Sequence, residues 1–399
     1  MAQAESIDHP FLDQIQRQSL LVGVVALAAC VAGAMLSPEQ FFRSYLFGYL
    51  FWIGIALGSI ALVMLHHVVG GGWGFLIRRL LEAASRTMPL MALLFIPILA
   101  GMHYIYIWTH ADLVAVDEIL QHKQPYLNVP FFITRALVYF LIWTGMVFFL
   151  SRWSLEQDRT GDLSLSRRLQ MLSGPGLLLY GITVTFASID WVMSLEPHWF
   201  STIYGLLFII GQVLATMAFA IVMVAKLSDR KPLSDLASPK HLRDLGTLMF
   251  AFVMLWAYFS FSQWLIIWAG DLPEENSWYL SRIKGGWGWI ALAVILFHFV
   301  LPFSLLLSRQ IKRRAKVMMG VAIGMLFMRL VDLFWIVTPA FGGHGSHSAP
   351  VHIHWMDLAA PIGIGGLWLA FFAWQLKGKS LTPIKDPGLE EVLASAEGH

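Results

Sequence analysis

Apolar residues recur along the chain in ten runs, and each run is long enough to cross the hydrocarbon core of a bilayer. A helix needs about 20 apolar residues for that crossing. Only helices satisfy their own backbone hydrogen bonds in lipid over so many separate runs. The pattern therefore predicts an all-α integral membrane protein in which residues 1–399 form a single polytopic domain. The ten predicted spans are 18–36, 47–69, 88–108, 130–150, 172–194, 203–225, 246–269, 287–307, 317–337 and 358–376.

The composition points to the same class of protein. Hydrophobic residues make up 57% of the 399 residues and charged residues only 13%, whereas a soluble domain carries roughly 25% charged residues. The formal net charge of +2 is too small to indicate a nucleic-acid partner. The single cysteine, Cys30, excludes an intrachain disulfide, an iron–sulfur cluster held by this chain alone, and C-x-x-C-H haem attachment. Redox centres of those kinds are therefore expected on partner subunits.

Positive charges are distributed unevenly between the two sides of the predicted spans. Of the 27 Lys and Arg residues, 21 lie on the side of the two termini and five on the opposite side, with Arg329 inside a span. Because cytoplasmic loops carry an excess of Lys and Arg, the N-terminal segment 1–17 and the tail 377–399 are both predicted to be cytoplasmic. The polar tail is expected to be disordered or docked on a partner. The loops predicted to face outside are 109–129, 270–286 and 338–357.

Several polar side chains fall inside or beside the spans. Such groups are costly in hydrocarbon, so they usually face the protein interior or a water-filled cavity. Their predicted depths form an outer and an inner group, which together predict two half-channels for protons. The outer group is His103, Arg135, Asp190, Glu196, Asp271, Arg329 and Asp332; the inner group is His66, His67 and His298; Gln263 lies in the seventh span.

Structural alternatives exist for these residues. Asp190 would otherwise form a hydrogen bond to a neighbouring helix. Arg329 and Asp332, three residues apart on one helix face, would otherwise form an intrahelical ion pair that lowers the cost of insertion. Ligation of haem b is a further alternative, but the four histidines inside the spans do not pair at matched depth.

Two loop segments contain several titratable side chains close together in sequence. The predicted outer loop "GGHGSHSAPVHIHWMD" is interpreted as a docking surface, with a metal site as the alternative. The cytoplasmic run "RQIKRRAK", residues 309–316, is typical of an anchor at anionic lipid headgroups. The histidines of the outer loop are His344, His347, His352 and His354.

Three long motifs resemble one of the two homologous polytopic membrane proteins of bacterial alternative complex III, which belong to the polysulfide-reductase-type (NrfD-like) family. They are "SIDWVMSLEPHWFSTIYG" (188–205), "DLGTLMFAFVMLWAYFSFSQWLIIWAGDLPEENSWYLSRIKGGWGW" (244–289) and "HFVLPFSLLLSR" (298–309). The resemblance extends from about residue 15 to residue 375. It implies ten transmembrane helices, arranged as two four-helix bundles (spans 2–5 and 6–9) with two peripheral helices.

The same resemblance implies a function in electron transport. The chain would be an integral part of a quinol:electron-acceptor oxidoreductase in the bacterial inner membrane. Its partners would be the second, homologous membrane protein of the complex, lipids, and subunits that carry iron–sulfur clusters and c-type haems; whether a quinone binds in this chain stays open. Two rival functions remain: a stand-alone secondary transporter and a purely structural subunit. The residues that fall on the family motifs, with proton conduction or structural support implied, are Asp190, Glu196, His198, Gln263, Asp271 and His298.

Overall fold

The computed structural model describes residues 9–228, 239–342, 350–383 and 385–386. Within these residues ten helices are long and apolar enough to cross a membrane, and no strand occurs. The prediction of an all-α, multi-pass membrane protein with ten spans is therefore confirmed. We number the spans in chain order: α1 Pro10–Ala34, α2 Pro38–Val69, α3 Gly72–Ala100, α4 Val129–Thr160, α5 Leu163–Leu195, α6 Tyr204–Leu227, α7 Pro239–Gly270, α8 Trp287–Leu307, α9 Ala315–Phe341 and α10 Trp355–Leu376.

Four spans change geometry along their length. Proline lacks a backbone N–H and interrupts the helical hydrogen bonds, and Pro89 and Pro97 accompany the breaks in α3. The segments are Gly72–Ser85, Met88–Leu94 and Ile96–Ala100 in α3; Leu163–Trp191 and the 3₁₀ turn Met193–Leu195 in α5; Trp287–Ala293, the π-helix Val294–Val300 and Leu301–Leu307 in α8; and Ala315–Val337 and the 3₁₀ turn Thr338–Phe341 in α9.

Short helices connect the spans. We call the side that carries residues 101–128 and 271–286 the outer side, following the charge-based prediction, and the side of both termini the inner side. The outer connections are the longer ones and hold most of the additional helices. These are Met102–Ile105, Ile107–Thr109, Ala111–Val116, Glu118–Lys123 and Pro273–Ile283 on the outer side, and Arg309–Lys312 on the inner side.

Several spans extend well beyond the predicted apolar runs. The predicted start of α3 at residue 88 is wrong, because the helix begins at Gly72 and includes Arg78 and Arg79. Those arginines indicated a loop in the sequence, but both are buried in the structure. A 32-residue helix such as α4 is about 48 Å long, which exceeds the hydrocarbon thickness of about 30 Å. The ends of the long spans therefore lie in the interface or beyond it.

The α2 and α6 helices pack against each other and against most of the others. The α2 helix also contacts α3, α5 and α10, and α6 also contacts α5, α7 and α9. Gly58 makes the α2–α6 contact close, since a Cβ atom at this position would lie 2.6 Å from the carbonyl oxygen of Gln212. Small residues at a helix interface let two backbones approach in this way.

The first and last spans form a close pair at the edge of the protein. They pack along much of their length, and α1 otherwise exposes its side chains. A Cβ atom on Gly366 would lie 2.4 Å from the Cα atom of Gly23 and 2.5 Å from the carbonyl oxygen of Ser19. Backbone atoms cannot move aside as a flexible side chain can, so the α1–α10 contact requires glycine at position 366.

We expect Gly366→Ala to separate α1 from α10 and to cost about 1–3 kcal/mol, the usual range for overpacking. Thermal unfolding of the full chain in detergent measures the effect. Gly324→Ala in α9 is the matched control, because nothing lies within 4 Å of its Cβ position, and we expect no loss of stability there. Equal melting temperatures for the two variants would show that the close contact is unimportant.

Candidate functional site

A buried ion pair joins α4 to α5 near their outer ends. Arg135 donates from Nε to Asp190 Oδ2 and from Nη2 to Asp190 Oδ1, both at 2.9 Å. Tyr139, one helical turn along α4 from Arg135, donates its hydroxyl to Asp190 Oδ2 at 2.8 Å. Asp190 is only 1% exposed. Both of its oxygens are therefore occupied by donors, and the bidentate geometry links the two helices strongly.

Aromatic rings cover the guanidinium of Arg135. Its Cζ atom lies 3.9 Å from the ring centroid of Tyr126 and 4.3 Å from that of Phe131. The third nitrogen, Nη1, donates to the carbonyl oxygen of Tyr126 at 2.9 Å. Cation–π attraction is strongest where the cation is desolvated, so these rings favour the charged arginine at this depth. Tyr126 was not predicted, because nothing in its sequence neighbourhood marks it.

A small cavity lies between α2, α5 and α6. Its volume is about 10 Å³, and Ser188, Trp191 and Gln212 contribute to its lining. This is about the space that one water molecule requires. The indole N–H of Trp191 is buried and has no hydrogen-bond partner in the described part of the chain. Tyr180 donates to Gln212 Oε1 at 2.9 Å, so polar groups reach the cavity from α5 and α6.

Glu196 forms a second ion pair at the outer side. Its partner is Arg282 of the helix Pro273–Ile283, whose Nη1 lies 3.3 Å from Glu196 Oε1 and whose Nη2 lies 2.5 Å from Oε2. The Arg282 guanidinium also stacks over Trp278, 3.8 Å from the ring centroid, and donates to the carbonyl oxygen of Ile336 at 2.7 Å. Arg282 thus ties the outer helix to both the end of α5 and α9. In the sequence, Arg282 is only one of the few positive charges predicted for the outer side.

The third ion pair lies within α9. Arg329 and Asp332 pair directly and are both buried, as the intrahelical alternative expected. Gly211 of α6 makes room for the guanidinium, since a Cβ atom there would lie 2.3 Å from Arg329 Cζ. The pair therefore faces another helix rather than lipid.

His298 lies on the π-helical segment of α8. It is fully buried, and its ring centroid is 4.4 Å from that of Trp256. Neither ring nitrogen has a hydrogen-bond partner within the described ranges. Single π-helical turns occur frequently at functional sites. His298 is therefore the predicted residue whose hydrogen-bonding capacity is least used by the protein.

A buried ionic cluster at the inner side was missed by the sequence analysis. Its centre is Glu82 of α3, which accepts hydrogen bonds from Arg78 Nε at 3.0 Å, Arg79 Nη1 at 2.5 Å and Ser154 Oγ at 2.6 Å. Arg79 also pairs with Asp158 of α4. Glu82 is 1% exposed. Arg79 and Arg78 precede Glu82 by three and four residues, and this spacing predicts ion pairs on one helix. The partners on α4 could not be predicted, because they are distant in sequence.

The described part of the C-terminal tail completes this cluster. Asp386 accepts a hydrogen bond from Arg78 Nη1 at 2.6 Å, and Lys385 donates to the carbonyl oxygen of Arg159 at 2.8 Å. Leu381 is fully buried. The tail was expected to be disordered or docked on a partner. Its described residues, 377–383 and 385–386, instead contact their own chain, and Asp386 supplies a carboxylate to the buried Arg78.

His66 and His67 lie beside this cluster, at the inner end of α2. The His66 ring packs so closely over Gly74 that a Cβ atom there would lie 2.0 Å from His66 Nδ1. His66 Nδ1 and His67 Nε2 are buried, and each lacks a hydrogen-bond partner among the residues that are described. His66 therefore packs against the first segment of α3, which also carries Arg78.

The remaining predicted residues do not join these groups. His103 is exposed and stacks on His110, with ring centroids 3.9 Å apart. Asp271 lies at the outer surface with a positive φ of 47° and accepts a hydrogen bond from Asn276 at 2.9 Å. Gln263 is buried and accepts one from Ser201 at 3.3 Å. The structure thus separates these three residues from the ion pairs.

Two outer histidines form hydrogen bonds within the outer segments. His198 Nε2 lies 2.6 Å from Asp117 Oδ2, and the backbone N–H of Leu120, together with this imidazole, lowers the pKa of Asp117. His354 Nδ1 accepts from the backbone N–H of Met356 and caps α10. His344 and His347 lie outside the described residues. In the described ranges, no three His, Cys, Asp or Glu side chains gather into a group that could hold a metal ion.

Family models and curated proteins identify no relative of this chain. No protein-family model matches the chain, and no curated protein matches it. Membership of a family is therefore supported only by the resemblance of the motifs at 188–205, 244–289 and 298–309.

We expect Arg135→Gln to cost about 3–5 kcal/mol, because it leaves Asp190 as a buried carboxylate without a cation. Arg135→Gln combined with Asp190→Asn should cost less than the sum of the two single changes, since the pair is removed together. Unfolding of the purified chain in detergent gives these values. Arg152→Gln, at an exposed position, is the control, and equal losses for Arg135→Gln and Arg152→Gln would contradict the pairing.

Proposed function

We propose that this chain is an integral membrane component of a quinol:electron-acceptor oxidoreductase of the alternative complex III type, located in a bacterial inner membrane. The three sequence motifs support this assignment. The observation that carries it is the Arg135–Asp190 pair, because the carboxylate of the first motif is buried between two spans and bonded to three donors. Partner subunits supply the iron–sulfur clusters and c-type haems, and the second, homologous membrane protein of the complex lies beside this chain.

The arrangement of the helices is compatible with two four-helix bundles. The contacts of α2 with α3 and α5, and of α6 with α7 and α9, support bundles of spans 2–5 and 6–9. The α1–α10 pair would then be the two peripheral helices. The excess of Lys and Arg on the inner side supports cytoplasmic termini. With that orientation, the Arg135–Asp190 pair would lie towards the outer face of the membrane.

Within such a complex the chain would support assembly and conduct protons. Titratable groups occur at the two predicted levels, and they are surrounded by protein rather than by lipid. Asp190 with Tyr139, and Asp332, belong to the outer level, whereas His298, His66 and His67 belong to the inner level. Protons would move between the levels through hydroxyl groups and internal water, such as a water in the cavity beside Trp191.

A purely structural role in the complex is the second candidate function. It is favoured by the saturation of Asp190 and Glu82, whose oxygens are already bonded to arginine and hydroxyl donors. Under this alternative the ion pairs hold α3, α4 and α5 together and no proton passes through them. The two candidates differ in what they predict for an assembled complex that lacks the Asp190 carboxylate.

We expect a tagged full-length chain, purified in mild detergent, to bring down other subunits that contain haem and iron–sulfur clusters. The visible spectrum and the protein composition of the preparation measure this. A colourless monomer or homodimer would instead support a transporter and would overturn the assignment to the complex.

We expect Asp190→Asn to reduce proton release and turnover per assembled complex by on the order of 10²-fold, the lower range for loss of a proton-transfer group. Quinol oxidation and proton release in liposomes, normalised to haem, measure it, and Asp190→Glu should restore part of the activity. Asp112→Asn, an exposed outer carboxylate, is the control. A lower yield of complex with unchanged turnover would support the purely structural role.

A further inference from the structure

Two cationic side chains share one acceptor where Arg86, directly after the first segment of α3, meets the inner end of α10. Arg86 donates from Nε to Gln375 Oε1 at 3.2 Å, and Lys379 donates from Nζ to the same oxygen at 3.5 Å. Arg86 also donates from Nη2 to the carbonyl oxygen of Gln375 at 3.4 Å. Because one oxygen receives both donors, the two positive groups are direct neighbours.

Neither cation has a carboxylate partner within the described part of the chain. The ion pairs there include none within 4.0 Å of Arg86 or Lys379. The neighbouring carboxylate, Glu82, is bonded to Arg78, Arg79 and Ser154. Among the described residues, Arg86 Nη1 is buried and also lacks an acceptor. Since each of the other buried arginines discussed above faces a carboxylate, the Arg86–Lys379 site has positive charge that the described part of the chain does not neutralise.

The chain path holds Lys379 in this place. Gly378 adopts a left-handed conformation with φ of 69°, which a residue with a side chain rarely adopts. This turn lets Lys377 pair with Asp13 on α1, while Lys379 reaches Arg86 on α3. Unlike a mobile surface lysine, Lys379 is therefore positioned by the fold.

The surface of α10 is accessible at this level. Trp374, adjacent to Gln375, is 53% exposed. Indole side chains prefer the interface between the hydrocarbon and the headgroups, so Trp374 indicates headgroup depth for Gln375 and Lys379. An anion that reaches this site is therefore expected to arrive attached to a lipid.

We propose that Arg86 and Lys379, positioned by Gln375, bind the phosphate group of an anionic phospholipid at the inner membrane surface. A phosphate oxygen accepts hydrogen bonds from both cations and supplies the missing negative charge. The lipid would then fill the interface between α3 and α10 next to the ionic cluster around Glu82. This assignment does not depend on the proposed function of the chain.

The low pKa of Lys379 gives the site an expected dependence on pH. Burial, followed by the charge of Arg86, lowers this pKa from 10.5 to about 8; Arg79 lowers it further, whereas Glu82 raises it. In the lipid-free protein, Lys379 therefore loses its proton as the pH rises through about 8. A bound phosphate group favours the charged form and raises the pKa, so affinity for the lipid should fall between pH 7 and pH 9.

The test uses the full-length chain, delipidated in detergent and titrated with short-chain phosphatidylglycerol, short-chain phosphatidylcholine or inorganic phosphate. We expect wild type to prefer phosphatidylglycerol by about tenfold or more, and Arg86→Gln with Lys379→Gln to lose that preference. The matched control is Arg167→Gln with Arg168→Gln, which removes two positive charges at exposed inner positions outside the run 309–316 and should keep the preference. No preference in wild type, or equal loss in the control, overturns the site.

Two further measurements distinguish a lipid from a free anion and test the role of Lys379. Inorganic phosphate that binds as tightly as phosphatidylglycerol, with the same loss in the double variant, would overturn the lipid assignment in favour of a free anion. Lys379→Arg keeps the charge at high pH and should retain the fold, so its affinity for phosphatidylglycerol should change little between pH 7 and pH 9. The same decline with pH in Lys379→Arg and wild type would exclude Lys379 from the site.

Discussion

A charged side chain inside a membrane protein must find a partner, because hydrocarbon cannot solvate it. This constraint explains the main polar contacts between the spans. Arg135 and Asp190 join α4 to α5, and Glu82 gathers Arg78 and Ser154 from α3 and α4. Each pair lowers the cost of placing its own members at that depth, and each also fixes how two helices pack.

The same constraint connects structure with function. Pairs such as Arg135–Asp190 satisfy their charges within the chain, so they can stabilise a scaffold and still offer titratable groups away from lipid. His298, with no acceptor or donor among the described residues, retains its hydrogen-bonding capacity for water or a proton. Where the protein provides cations without a carboxylate, at Arg86 and Lys379, the missing charge is best supplied by the lipid phosphate around the protein.

The number of spans and the charged residues inside them could be predicted from local sequence. The boundaries of the spans could not. A run of about 20 apolar residues identifies a membrane helix, because every helix that crosses the bilayer needs that length, whatever its position in the fold. The start of α3 was misplaced because Arg78 and Arg79 indicated a polar loop. Their burial depends on Asp158 and Asp386, which are distant in sequence, and a sequence window cannot contain such partners.

The sequence by itself determined that this is a ten-span helical membrane protein and that Asp190, Arg329 and Asp332 lie inside the spans. The Arg329–Asp332 pair could also be predicted from the sequence, because two side chains that are three positions apart on a helix are neighbours. Only the tertiary structure decided that Asp190 meets Arg135, 55 positions away, and that Arg78 meets Asp386, 308 positions away. Helical periodicity fixes neighbours within one turn, but the packing of whole helices decides which distant side chains share a site.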